Sequence, residues 1–261
     1  MVYFGKRIRR VFKYIIICPL VFLAGYIDAI AGGGGLISLP AYMFTGMPVI
    51  NCIATNKMSS AMGTSVTTYK YARGGFIPWK LALFCIPCAF GGSAIGANIA
   101  LIISNDAFKI IMLIILPLTA LYVLTKKELT PKTEQHSFKV MLLFAVLIAF
   151  VIGIYDGFYG PGTGTFLILL LTAIGRMKIE EANGLTKAIN ISTNISALVI
   201  YIINGQVILP LGIIAGCFNI AGNYLGASKF TSGGEKIVKP VMMLVITIFF
   251  VKVLGELIGI F

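Results

Sequence analysis

Gly25-Tyr-Ile-Asp-Ala-Ile-Ala-Gly-Gly-Gly-Gly-Leu-Ile-Ser-Leu-Pro40 decides the fold. Four consecutive glycines, Gly32 to Gly35, stand inside an otherwise apolar run, where a helix would be expected to continue. The flanks are Ile30, Leu36 and Ile37, not the Asn, Ser and Pro that punctuate a water-exposed loop. Hydrocarbon offers backbone groups no hydrogen bonds, so a glycine break there must be buried in protein or line a cavity. The run reads as a helix broken inside the bilayer, with Leu36–Phe44 starting again as a helix whose N-terminus presents free N–H groups.

The same sentence is written again. A shift of 128 residues matches Phe22 to Phe150, Gly25 to Gly153, Asp28 to Asp156, Gly32 to Gly160, Gly34 to Gly162 and Leu39 to Leu167. A two-residue insertion makes the shift 130, which matches Lys57 to Lys187, Tyr71 to Tyr201, Gly75 to Gly205, Gly92 to Gly222, Gly96 to Gly226 and Ala97 to Ala227. Lys109 with Lys239 and Leu124 with Leu254 continue the register. Shared hydrophobicity does not place charged residues in register over such a length. Each half then reads as a glycine-broken helix (14–46 and 138–175), a more polar helix (about 50–72 and 181–203) and two apolar spans (about 77–101 and 107–125, then 207–227 and 238–258). The expected units are 1–125, a first membrane repeat with a basic N-terminal extension, a polar linker 126–137, and a second repeat 138–261.

Composition sets the class. Of 261 residues, 58% are hydrophobic and 11% charged, against roughly 25% charged in a soluble domain. The mean hydropathy is +0.97. Lipid is therefore the solvent for most of the chain, and the fold expected is all-α and polytopic, with about eight transmembrane segments. The net charge of +12 is not a nucleic-acid footprint. It gathers at the ends of apolar runs, in Lys6, Arg7, Arg9, Arg10 and Lys13 and in the linker's Lys126, Lys127 and Lys132, as orientation signals do. Both clusters point to the cytoplasm; whether the halves are parallel or inverted stays open, as does the oligomeric state. The first apolar segment lacks a cleavage site of small residues and is read as retained. Five cysteines lie in or beside apolar segments, and Cys85-Ile-Pro-Cys88 reads as packing, because the only histidine, His136, is in the linker. No metal or other cofactor is expected.

The candidate chemistry follows from the breaks and the polar helices. Asn183, Lys187, Asn190 and Asn194 fall on one helical face, and Lys57, Ser60, Thr64 and Thr68 repeat it in the first half. A lysine in the bilayer is costly unless it faces a cavity or a partner, although one near a helix end can snorkel to the interface. Two such lysines beside two helix N-termini describe a site for a small anion. The candidate solute-binding set is Gly33, Gly34, Gly35, Asn56, Lys57, Ser60, Gly162, Thr163, Gly164, Lys187, Asn190 and Asn194. Asp28 and Asp156 either exchange protons in coupling or hold the lysines. No phosphate-binding loop is present, so energy would come from a gradient. An intramembrane enzyme built on Asp28 and Asp156 is the alternative. Against it, no aspartate follows either glycine run.

With Gly25–Pro40, Ala54-Thr-Asn-Lys57 and Gly153-Ile-Tyr-Asp-Gly-Phe-Tyr-Gly-Pro-Gly-Thr-Gly-Thr-Phe166 in view, the chain resembles the sulfite exporter TauE/SafE family of membrane permeases over nearly its whole length. That resemblance implies a bacterial or archaeal plasma membrane, about eight spans, and transport of sulfur-containing anions or organosulfonates.

Overall fold

The computed structural model describes residues 2–108, 110, 111, 114, 118 and 136–229. Eight helices order the described chain: α1 (Val2–Ala31), α2 (Gly35–Met43), α3 (Val49–Arg73), α4 (Trp79–Ile102), α5 (Phe138–Phe158), α6 (Thr163–Ala173), α7 (Ile179–Ile203) and α8 (Leu209–Lys229). There is no strand among the described residues. Five segments are long and apolar enough to cross a membrane: Lys13–Ala31, Trp79–Ile102, Phe138–Phe158, Ile179–Ile203 and Leu209–Lys229. At 25 residues α3 has the length, but its Asn, Lys, Ser and Thr side chains keep it below that apolarity. The expected span 238–258 and most of 107–125 lie outside the described residues, as does nearly all of the linker.

Both broken helices form, but the breaks are shorter than the glycine runs suggest. Gly35 already opens α2, and Thr163 and Gly164 open α6, so neither Gly33–Gly35 nor Gly162–Gly164 is non-helical throughout. The unwound residues are 32–34 and 159–162. A first helical turn needs acceptors only behind it, and the glycine carbonyls supply them. The N–H groups of Leu36 and Ile37 donate to the carbonyls of Gly33 and Gly34, and the N–H of Phe166 donates to that of Gly162. Gly32 (φ +68°) and Gly160 (φ +96°) hold left-handed conformations that make the turn. The two breaks also meet: a Cβ on Gly164 would stand 2.8 Å from the Cα of Gly32.

A helix that ends inside protein leaves four carbonyls without donors. At the end of α1 side chains from other helices reach each of the last four, of which the Asp28 carbonyl also accepts from the Gly32 N–H at 3.0 Å. Lys187 Nζ donates to the Asp28 carbonyl, Tyr71 Oη to Ala29 O (3.0 Å), Asn183 Nδ2 to Ile30 O (3.3 Å) and Thr165 Oγ1 to Ala31 O (3.5 Å).

Close packing does the rest. α1 packs chiefly on α8, α4 on α5, and α3 and α7 fill the space between. The α4–α5 and α1–α8 contacts are made by glycine. A Cβ at Gly92 or Gly96 would strike the carbonyls of Phe150 or Ile154, and one at Gly222 or Gly226 those of Phe22 or Tyr26. Small residues at such spacing let backbones approach where lipid gives helices no hydrophobic reason to associate. Leucines and isoleucines on the opposite faces, such as Leu83, Ile95, Leu143, Leu147, Ile213 and Leu225, are exposed, as a lipid-facing surface requires.

Candidate functional site

The breaks, the polar face of α3 and the polar face of α7 converge on one polar cavity. Its wall contains Gly33, Gly34 and Gly35 from the first break and Gly162, Thr163 and Gly164 from the second. Asn56, Lys57 and Ser60 come from α3, Asn190 and Asn194 from α7, and Asp28 and Asp156 from the ends of α1 and α5. Of the residues expected from sequence to bind solute, only Lys187 lies behind this wall.

Lys187 is fully buried, and its ammonium is drawn back to the carbonyl of Asp28. The expectation that both lysines face the cavity therefore holds for Lys57 alone. The reason is local. The Asp28 carbonyl accepts from the Gly32 N–H at 3.0 Å, and its second lone pair takes the lysine, a strong donor. Thr68, read as the tail of the first polar stripe, donates instead to the carbonyl of Lys187 at 3.1 Å. Asn183, the head of the second stripe, is spent on Ile30 and Tyr71.

The two aspartates hold the two lysines, and they do so across the halves. Lys57 Nζ lies 2.7 Å from Asp156 Oδ2, and Lys187 Nζ lies 3.5 Å from Asp28 Oδ2. Asp156 also accepts a 2.7 Å hydrogen bond from Thr163 Oγ1, which donates from the first turn of α6. Asp28 faces the backbone N–H of Gly34, at 3.4 Å. Desolvating a charge is tolerable only with such pairing. Two ammonium and two carboxylate groups leave the centre with no net charge.

Sequence reading missed Asn219, which lines the cavity from α8. The span 207–227 reads as an ordinary apolar segment. The available signal was two asparagines, Asn219 and Asn223, one turn apart in it. Cys18, Cys52 and Cys85 are buried, Cys88 is half-buried and Cys217 is exposed, and none is in a disulfide among the described residues. Among those residues no cluster of His, Cys, Asp and Glu could hold a metal ion.

Known proteins are similar in sequence to this chain over most of its length. A Sinorhizobium protein named "Probable membrane transporter protein ORF9" is 32% identical over 90% of this chain and 90% of its own. "Probable membrane transporter protein YfcA" of Escherichia coli K12 is 31% identical over 90% of this chain and 87% of its own. A more distant relative, "Probable membrane transporter protein YdhB" of Bacillus subtilis, is 26% identical over 86% of this chain and 93% of its own. No solved structure is a significant match. The family model described as sulfite exporter TauE/SafE matches residues 17–253, and the chain belongs to that family.

Proposed function

We propose that this protein is a gradient-driven permease of the cell membrane for a small anion, of the sulfur-containing or organosulfonate class. The observation that carries the reading is the polar cavity at the meeting point of two broken helices, with Lys57 in its wall. Broken helices that face each other around a polar centre are a recurrent transporter device. The anion's oxygens would take donors from Asn56, Ser60, Asn190 and Asn194, and would compete with Asp156 for Lys57. Release of the carboxylate from its lysine is then the step by which binding is coupled to an ion, with Asp28 as its counterpart.

The reading includes two repeats, 1–125 and 138–261, joined by 126–137. Contacts at matching positions support it. Tyr71 donates to Ala29 O as Tyr201 donates to Gly157 O. Gly25 abuts Asn219 O as Gly153 abuts Ala89 O. Each of these correspondences follows the shifts of 128 and 130. The intramembrane-enzyme alternative draws no support from the geometry. Aspartyl hydrolysis needs two carboxylates sharing a proton, whereas here each carboxylate is engaged by a lysine.

The test is flux of sulfite and ethanesulfonate into proteoliposomes under an imposed proton or sodium gradient. Protein-dependent uptake that collapses with the gradient is expected. Vesicles with and without protein taking up both probes equally would overturn the reading.

A further inference from the structure

We propose that Asn219 is a solute-binding, specificity-determining residue whose side chain is locked with its N–H groups toward the cavity by Asn223 and Thr67. The inference rests on the permease reading and extends it to a helix that the polar stripes do not include.

Which way the amide faces follows from what its neighbours can accept. Asn223 Nδ2 lies 3.1 Å from the backbone carbonyl of Asn219, which can only accept, so the nitrogen of Asn223 is fixed on that side. The same nitrogen lies 2.6 Å from the side chain of Asn219, so the atom it meets must be the acceptor, Oδ1. The remaining oxygen of Asn223 accepts a 2.6 Å hydrogen bond from the hydroxyl of Thr67. Thr67 and Asn223 are fully buried. The chain of donors thus runs from Thr67 to Asn223 to Asn219 and ends on Asn219 Nδ2. That group has no partner among the described residues, in a side chain that lines the cavity.

The room for this relay is built in. Gly63 of α3 and Gly25 of α1 stand where a Cβ would run into the amides of Asn219 and Asn223. The relay is also one-sided. The shift of 130 pairs Thr67 with Ala197, Asn219 with Ala89 and Asn223 with Ser93. Ser93 spends its hydroxyl on the carbonyl of Thr193 at 2.7 Å. The second half therefore offers no matching amide, and this donor is one of the features that make the cavity asymmetric. Because the centre's four charges cancel, a neutral N–H pair favours an oxyanion oxygen without adding a cation. It equally disfavours a cationic head group, toward which it turns the positive end of its dipole.

Initial rates of sulfite and ethanesulfonate uptake by parent, Asn219→Asp, Asn219→Ala and Thr67→Val proteoliposomes test this, with the thermal midpoint of each protein measured alongside. Asn219→Asp keeps the shape but places an acceptor on the anion; KM for both probes should rise about tenfold or more. Asn219→Ala should raise it less. Thr67→Val should raise KM about two- to fivefold by freeing the relay to turn over. A merely structural role would lower the midpoint and the amount of active protein while leaving KM unchanged. KM within twofold of the parent in both Asn219 variants overturns the assignment while leaving the permease reading in place. A parent protein that moves neither probe overturns the permease reading itself, and this inference with it.

Discussion

The two ion pairs at the centre occupy matching positions in the sequence, yet they are built differently. Lys57 and Asp156 meet at 2.7 Å, with side chains 3% and 6% exposed. Thr163 holds the carboxylate from the other side. Lys187 and Asp28 are 3.5 Å apart, and the Asp28 side chain is 17% exposed. Much of the compensation for Lys187 comes from the Asp28 backbone carbonyl, not the carboxylate. One pair is closed and the other is half open. Two sets of charges at matching sequence positions are therefore held differently by the helix ends around them.

Breaking the closed pair should produce the largest effect. Lys57→Met or Asp156→Asn leaves a buried charge without its partner, at a cost of about 3–5 kcal/mol. The double variant Lys57→Met with Asp156→Asn should recover much of that loss. Asp28→Asn should cost less, because Lys187 retains the carbonyl. Denaturation midpoints in detergent check the order. A loss for Asp28→Asn as large as that for Asp156→Asn would show that the two pairs are equivalent after all.

What the sequence made legible follows the same line. The glycine breaks, the polar faces of α3 and α7 and the buried aspartates could be read because each violates the rules of an apolar helix. Lysine, aspartate and glycine runs are rare in such segments and stand out. The position of Lys187 could not be read, since nothing in a helical face says whether a carbonyl from another helix end will claim the ammonium. Asn219 escaped for a different reason. Two amides one turn apart in an apolar span do not by themselves mark a site until Gly25 and Gly63 are seen to clear space for them. The breaks are shorter than the glycine runs because a glycine carbonyl serves the first turn of the next helix as well as any other residue's.

The breaks offer a comparison of intermediate size. Gly32 and Gly160 both hold positive φ, so alanine at either carries about 1–2 kcal/mol of left-handed strain. Their surroundings differ. A Cβ on Gly32 meets the backbone of Gly164, which cannot step aside, whereas one on Gly160 meets Lys57 Nζ at 3.1 Å and Asp156 Oδ1 at 3.2 Å. Gly32→Ala should therefore lower the thermal midpoint more. Gly160→Ala should disturb the ion pair and reduce anion flux out of proportion to its effect on stability. Parallel losses of flux and stability in both variants would remove the distinction.

The smallest effect expected is at the two tyrosines, and it tests how far the asymmetry spreads. Tyr201 Oη makes one hydrogen bond, to Gly157 O at 2.7 Å. Tyr71 Oη donates to Ala29 O at 3.0 Å and also accepts from Asn183 Nδ2 at 3.2 Å. Each tyrosine ties its helix, α3 or α7, to the end of the broken helix of its own half, while each lysine reaches across to the other. Phenylalanine keeps the ring and removes only the hydroxyl, so Tyr201→Phe should cost about 0.5–1.5 kcal/mol. Tyr71→Phe should cost somewhat more, because Asn183 is left with Ile30 O as its remaining acceptor for that amide nitrogen. Combining either change with Asp28→Asn discriminates further. Tyr71 and Lys187 both cap the end of α1, so Tyr71→Phe and Asp28→Asn should be non-additive, since both act on one helix end. Tyr201→Phe and Asp28→Asn touch different helix ends and should add. Additivity in both combinations would mean that the end of α1 is not a single cooperative unit, and that the half-open pair is loose for reasons confined to Asp28 itself.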